Sequence, residues 1–127
     1  MFDPVASIYK EIGSDKPIYQ LVEAFYAKVE LDSVLRPLYP QDLTQPKRHL
    51  ALFLVQRFGG PSTYSDERGH PRMRSRHMPF KIGVKEKDAW MANMTSALDT
   101  VSELSGHKEV LQKYFEDFAT FMINQSG

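Results

Sequence analysis

The chain has 127 residues and a mass of 14.6 kDa, which is the size of one domain with a real hydrophobic core. Its 16 basic and 16 acidic side chains cancel, so the chain lacks the overall positive charge of a nucleic-acid-binding protein. It contains no cysteine, which excludes disulfides, thiolate catalysis, iron–sulfur clusters and zinc sites with sulfur ligands.

These properties predict one domain over residues 1–127, with no partner among the nucleic acids. The first residues carry an acid, Asp3, where a secretory signal would have basic residues. The longest uninterrupted apolar run, residues 50–55, is far too short to span a membrane. We therefore expect a soluble, cytoplasmic protein without a membrane partner.

The first strong helical pattern lies between residues 15 and 29. Pro17 follows Asp15 at a position where the first turn of a helix tolerates proline. The apolar residues then recur at helical spacing, which predicts an amphipathic helix with one buried face: Ile18, Leu21, Val22, Phe25, Tyr26 and Val29.

A second helix is predicted to begin near Thr44-Gln45-Pro46 and to end at Gly59-Gly60-Pro61. Leu50, Phe53, Leu54 and Phe58 lie on one of its faces. The glycine pair has no preceding strand and no following lysine and hydroxyl residue, so it is interpreted as a helix stop and not as a phosphate-binding loop.

About twenty residues rich in Gly, Pro, Ser and Arg follow, and a connection of this length predicts a functional segment. Within it, Arg72, Arg74 and Arg76 alternate just before His77, and an apolar run begins at once with Met78, Pro79, Phe80 and Ile82. An imidazole between hydrocarbon and guanidinium groups is typical of an iron porphyrin site, which needs an axial nitrogen, an apolar slot and cationic partners for two propionates.

Other interpretations of this segment remain open. A half-buried histidine that packs a loop is the alternative for His77, although its surroundings favour the iron site. The arginines also fit a solvated face or a phosphate-binding patch, but neither of these accounts for His77. The remaining histidines, His49, His70 and His107, form no zinc motif with it, so we expect no zinc site.

Two further helices are predicted towards the C-terminus. After the segment Lys85-Glu86-Lys87-Asp88, one apolar stripe contains Trp90, Met94, Ala97, Leu98 and Val101. A second stripe contains Leu111, Tyr114, Phe115, Phe118, Phe121 and Met122. No segment alternates with the period of a strand, so the fold class is predicted to be all-α.

Three aromatic residues with a polar atom lie in apolar surroundings: Tyr26, Tyr39 and Trp90. A buried phenol or indole needs a hydrogen-bond partner, so the three together are interpreted as donors that converge on a bound ligand. The alternative is that each directs its polar tip to solvent.

Several motifs together make the chain similar to the truncated haemoglobins of group II, also called the O type. They are Phe25-Tyr26, Pro37-Leu38-Tyr39-Pro40, Phe58-Gly59-Gly60-Pro61 with Tyr64, Arg68-Gly69-His70-Pro71, Arg76-His77-Met78-Pro79-Phe80 and Asp88-Ala89-Trp90. The resemblance extends over nearly the whole chain. It implies a truncated 2-on-2 globin sandwich of four main helices around a haem.

The resemblance also implies roles for individual residues. His77 matches the proximal iron ligand, and Tyr26, Tyr39 and Trp90 match the distal ligand-binding positions. Tyr64 and Arg76 match positions that contact the propionates, and His49 is a further candidate for that contact. The haem pocket is expected to be lined by Pro46, Leu50, Phe53, Leu54, Met73, Phe80, Ile82 and Met94. Because Pro46 and Leu50 occupy positions that carry a hydroxyl or amide in some relatives, we expect no ligand hydrogen bond from either.

This resemblance implies a non-covalently bound haem b that binds O2 and other diatomic ligands reversibly. An alternative is redox chemistry, either conversion of NO to nitrate or a pseudo-peroxidase reaction, and both would need a reductase partner. No catalytic residue is assigned. A third alternative is a haem-free helical module that binds phosphate or protein through residues 68–76. The sequence leaves open whether the protein is a monomer or a homodimer.

Overall fold

A computed structural model describes residues 2–126, and within that range it contains seven α-helices, two short 3-10 helices and no strand. The prediction of an all-α fold is confirmed. The α-helices are α1 (Ile8–Ile12), α2 (Lys16–Val29), α3 (Thr44–Arg57), α4 (Thr63–Arg68), α5 (Met73–His77), α6 (Val84–Leu98) and α7 (Lys108–Met122). The 3-10 helices span Arg36–Leu38 and Ser102–His107.

Helix α2 has the predicted apolar face. All six residues of its stripe are buried, and Pro17 lies in the first turn. Beyond its end, the side chain of Asp32 accepts hydrogen bonds from the backbone amides of Val34 and Leu35, at 2.8 and 3.0 Å. This turn carries the chain into the corner that contains Tyr39.

Helix α3 begins and ends where the sequence predicts. The amide of Thr44 donates to Oδ1 of Asp42 at 2.9 Å, which satisfies one of the free donors at the start of the helix. Gly59 follows the helix with a φ of 98°, a conformation that favours glycine. A Cβ at this position would collide with the carbonyl oxygen of Ala6, so the stop also packs closely against the N-terminal segment.

Helices α6 and α7 confirm the two C-terminal predictions, with two differences in their apolar stripes. Val101 is buried but lies beyond the end of α6 at Leu98. Phe121 was expected on the buried stripe of α7, but 60% of its surface is exposed. It lies at the edge of the stripe in the last turn, in which the next residue, Met122, is buried.

The four long helices pack as α2 against α3, α2 against α6, and α6 against α7. Their buried side chains form a hydrophobic cluster to which α1 and the second 3-10 helix contribute Ile8 and Leu104. The long connection between α3 and α6 contains the short helices α4 and α5, so it is a structured segment beside this core. No helix within residues 2–126 is long and apolar enough to cross a membrane.

Candidate functional site

A cavity of about 380 Å3 opens between α2, α3, the α4–α5 connection, α6 and α7. This volume lies within the range of small-molecule and cofactor sites. Thirteen of the fifteen residues that the sequence proposed for the site line this one cavity: Tyr26, Tyr39, Pro46, His49, Leu50, Phe53, Tyr64, Met73, Arg76, His77, Phe80, Ile82 and Trp90.

Two residues expected in the pocket lie elsewhere. Leu54 and Met94 are almost completely buried, and both belong to the hydrophobic core and not to the cavity wall. Leu54 follows Phe53, which does line the cavity, and successive residues of an α-helix point about 100° apart. An apolar stripe that is wide enough to face both a core and a cavity does not reveal in sequence which residue faces which.

The cavity also has walls that the sequence did not identify. They comprise Leu35, Leu38, Pro40, Arg68, Glu86, Lys87, Phe118, Ala119 and Met122. Phe118 and Met122 were recognised only as part of an apolar stripe, and Arg68 only as one arginine of the connection. Their place in the site depends on how α7 and α4 pack, which helical periodicity does not report.

His77 ends α5 with its ring at the cavity. Its Nδ1 lies 2.6 Å from the carbonyl oxygen of Met73, four residues earlier. Because a carbonyl can only accept, Nδ1 carries the proton of the neutral imidazole, and the lone pair is left on Nε2. An imidazole whose other nitrogen donates to a carbonyl is the usual arrangement of a metal-binding histidine.

Tyr26, Tyr39 and Trp90 meet in the same cavity. The rings of Tyr26 and Tyr39 are 5.5 Å apart in an edge-to-face arrangement, and Phe25 packs against both Tyr26 and Trp90 at 5.1 and 5.4 Å. The predicted convergence of three polar aromatic residues is therefore present in this fold.

The contacts among these three residues have a direction of donation. The indole of Trp90 can only donate, and as a donor beside Tyr39 it lowers the pKa of that phenol. Tyr26 is likewise a donor beside Tyr39, and burial, followed by the proximity of Tyr39, raises the pKa of Tyr26 far above its usual range. Burial likewise raises the pKa of Tyr39 to about 12, so its phenol keeps its proton at neutral pH. With two donors beside its oxygen, Tyr39 keeps its own O–H as a donor available to a ligand.

The polar edge of the cavity is formed by Tyr64, Arg68, Arg76 and His49. The guanidinium carbons of Arg68 and Arg76 lie 5.8 and 6.0 Å from the ring centre of the buried Tyr64. Arg76 donates to the carbonyls of Pro71 and Arg68 at 2.7 and 3.0 Å, so its guanidinium also holds the connection in shape.

His49 belongs to this edge, from the face of α3. A guanidinium nitrogen of Arg68 lies 2.6 Å from its Nε2. Burial lowers the pKa of His49, and the positive charges of Arg68 and Arg48 lower it further, so the imidazole is neutral at pH 7. A neutral imidazole between guanidinium groups leaves a net positive edge that favours an anionic ligand group.

The residues present fit a haem. One imidazole nitrogen is available to iron, the slot beside it is apolar, and two guanidinium groups with a phenol can bind carboxylates at the edge. The hydrogen-bond donors Tyr39 and Trp90 face the same cavity. Each part of the donor set that an iron porphyrin requires is therefore supplied by this chain.

Comparison with known proteins gives a consistent result. A family profile described as bacterial-like globin matches residues 7–124. The group 2 truncated haemoglobin YjbI of Bacillus subtilis (strain 168) is 40% identical over 118 residues, which cover 93% of this chain and 89% of that protein.

Solved structures agree in fold as well as in sequence. A haemoglobin from the thermophilic phototrophic bacterium Chloroflexus aurantiacus is 46% identical, with a TM-score of 0.89 over 94% of this chain and 98% of that one. A truncated oxygen-avid haemoglobin from Bacillus subtilis is 38% identical, with a TM-score of 0.87 over 93% of this chain and 99% of that one. The similarity confirms the predicted 2-on-2 sandwich of four main helices.

Proposed function

Since the chain belongs to the bacterial-like globin family, and within it to the group II truncated haemoglobins, we propose that it holds haem b non-covalently through His77 and binds O2 reversibly. The observation that most supports this proposal is the hydrogen bonding of the His77 imidazole. Its Nδ1 is engaged by the Met73 carbonyl, and its Nε2 is available at a cavity that contains the donors Tyr39 and Trp90.

When bound, the haem supplies an iron atom that takes up a diatomic gas, and the protein controls how long the gas stays. Tyr39 is the residue best placed to do so, because its O–H is a donor and the donors Tyr26 and Trp90 lie beside its oxygen. Hydrogen bonds in such a chain polarise one another, which makes the last donor stronger. This arrangement supports slow release of O2, and the similar protein from Bacillus subtilis is described as oxygen-avid.

The residues of α3 that line the cavity are mostly apolar. Pro46 and Leu50 line the cavity and offer no side-chain hydrogen bond, as the sequence predicts. The polar residue of this helix that lines the cavity, His49, is paired with Arg68 at the edge. The hydrogen bonds to the gas therefore come from the aromatic residues, and the edge groups are left for the propionates.

The haem-free alternative, a phosphate-binding arginine patch, receives little support. Arg74 donates to the carbonyls of Phe121 and Ile123 at 3.2 and 3.3 Å, and Arg76 donates to two carbonyls of its own connection. These guanidinium groups hold the backbone together, so fewer of their donors are available to an external phosphate.

The proposal is tested by absorption spectra of the ferric, ferrous and oxygenated protein, compared with a His77→Ala variant. We expect the wild type to take up hemin and form a stable oxygenated spectrum, and the variant to lose the native axial ligation and regain it with added imidazole. His70→Ala is the matched control, because His70 lies in the same connection and is exposed outside the cavity. A variant at position 77 with an unaltered Soret band and coordination would refute the assignment.

A further inference from the structure

Helix α5, which carries His77, has little intrinsic stability. It has five residues, none of which is buried, and the residue before it, Arg72, has a left-handed backbone conformation with φ of 45°. Such a short helix has no stability as an isolated segment, since several turns are needed before a helix forms in water. Its position must therefore be fixed by contacts with the rest of the protein.

The end of α5 and the segment after it are bound by the C-terminal segment after α7, chiefly through Asn124. Its Nδ2 donates to the carbonyl of Phe80 at 2.8 Å and to the carbonyl of His77 at 3.3 Å. Its Oδ1 accepts from the amide of Ile82 at 2.9 Å, and its backbone amide donates to the carbonyl of Ile82 at 2.8 Å. One side-chain amide thus bridges three backbone positions of the segment that begins at His77.

No other residue type reproduces this set of bonds at the same length. An Asn amide has two donor hydrogens and one acceptor oxygen, and here each donor reaches a different carbonyl while the oxygen reaches an N–H. Asp would keep the acceptor and lose both donors, and Ala would lose all three bonds. Arg74 adds a parallel connection from α5 to the carbonyls of Phe121 and Ile123.

We infer that Asn124 is a positioning residue for His77: it fixes the backbone from which the proximal imidazole projects, 47 residues away in sequence. The ring is oriented by the Met73 carbonyl, and the backbone at the end of α5 is held by the Asn124 amide. The inference rests on the proposed role of His77 as the iron ligand. Groups outside the first coordination shell typically change metal affinity by about tenfold or more when they are removed.

The test compares Asn124→Ala and Asn124→Asp with the wild type by two readouts of the haem-loaded protein. These are the rate of haem loss to an acceptor apoprotein and the iron–histidine stretching band in the resonance Raman spectrum. We expect both variants to lose haem about tenfold faster and to show a shifted or broadened band. If Asn124→Ala fails to fold, Asn124→Asp retains the Ile82 bond and still removes both donors to the carbonyls of His77 and Phe80.

Asn93→Ala is the matched control. Asn93 also uses its side-chain amide to join two segments, through Asp32 at 2.8 Å and the carbonyl of Ala89 at 2.9 Å, but it does not line the cavity. We expect a loss of stability in this control without a change in the iron–histidine band.

A third readout uses the haem-free protein, so that failure of this inference differs from failure of the proposed function. Hydrogen exchange of the Ile82 amide should accelerate in Asn124→Ala and stay slow in Asn124→Asp. If both variants keep the wild-type haem-loss rate and band, the inference is wrong while the proposed function stands. A wild-type protein that takes up no hemin would instead refute the function, and the inference with it.

Discussion

Replacing Tyr39 by Phe tests the order of hydrogen bonds in the cavity. Tyr26 and Trp90 are donors beside the Tyr39 oxygen, so we propose that the Tyr39 O–H is the donor left for a gas ligand. A neutral hydrogen bond contributes about 1 to 1.5 kcal/mol, and its loss should raise the O2 dissociation rate roughly 5- to 13-fold. Stopped-flow displacement of O2 by CO measures this rate directly.

Tyr26→Phe should have a smaller effect, because Tyr26 acts through Tyr39. Its loss removes one of the two bonds that polarise the Tyr39 hydroxyl, and such cooperative strengthening is about 10 to 30% of a hydrogen bond. The O2 dissociation rate should therefore rise by less than about twofold. Tyr19→Phe is the control, since Tyr19 belongs to the same helix α2 and is exposed outside the cavity.

Faster O2 release from Tyr26→Phe than from Tyr39→Phe would refute this order. It would mean that Tyr26 donates directly to the gas and that Tyr39 supports it. A second check is the pH dependence. Because burial raises the pKa of Tyr39 to about 12, the difference between wild type and Tyr39→Phe should persist from pH 7 to pH 10.

Gly59→Ala should lower the free energy of unfolding by at least about 2 kcal/mol, since it combines a positive φ with a collision against the Ala6 carbonyl. Gly106→Ala has open space around its Cβ and should be near neutral, and equal urea midpoints for the two variants would contradict this account. His49→Gln should flatten the acid side of the stability profile of the haem-free protein. Because burial and Arg68 hold the pKa of His49 below 6.5, the unfolded chain binds the proton more readily, and stability falls as the pH drops below about 6.5. Urea unfolding at pH 7.5 and pH 5 measures this slope, and an identical slope in the variant would show that His49 does not cause it.

The helices and the candidate iron ligand His77 were predictable because they leave local signals. The apolar face of α2 repeats at helical spacing and needs no partner to be recognised, and the stop at Gly59 follows from a residue type that tolerates positive φ. His77 stood out because guanidinium groups and hydrocarbon meet at it within a few residues. These are patterns within one turn or one loop.

The predictions differ from the structure where one apolar helical stripe faces more than one environment. Leu54 and Met94 share apolar faces with cavity residues but are buried in the core, and Phe121 continues a buried stripe into solvent. The same physical property, an apolar side chain at helical spacing, suits all three environments. Only the position of the neighbouring helix distinguishes them.

The sequence by itself determined the helical segments, the donor chemistry at Tyr26, Tyr39 and Trp90, and the imidazole at position 77, because each depends on residue type and short-range spacing. The tertiary structure decided which apolar side chains line the cavity and which lie in the core, that Tyr26, Tyr39 and Trp90 share one cavity, and that Asn124 binds the segment following His77. These relations join residues that are tens of positions apart in sequence. The distances between them are set by how the helices pack, and this packing produces no periodic pattern in the sequence.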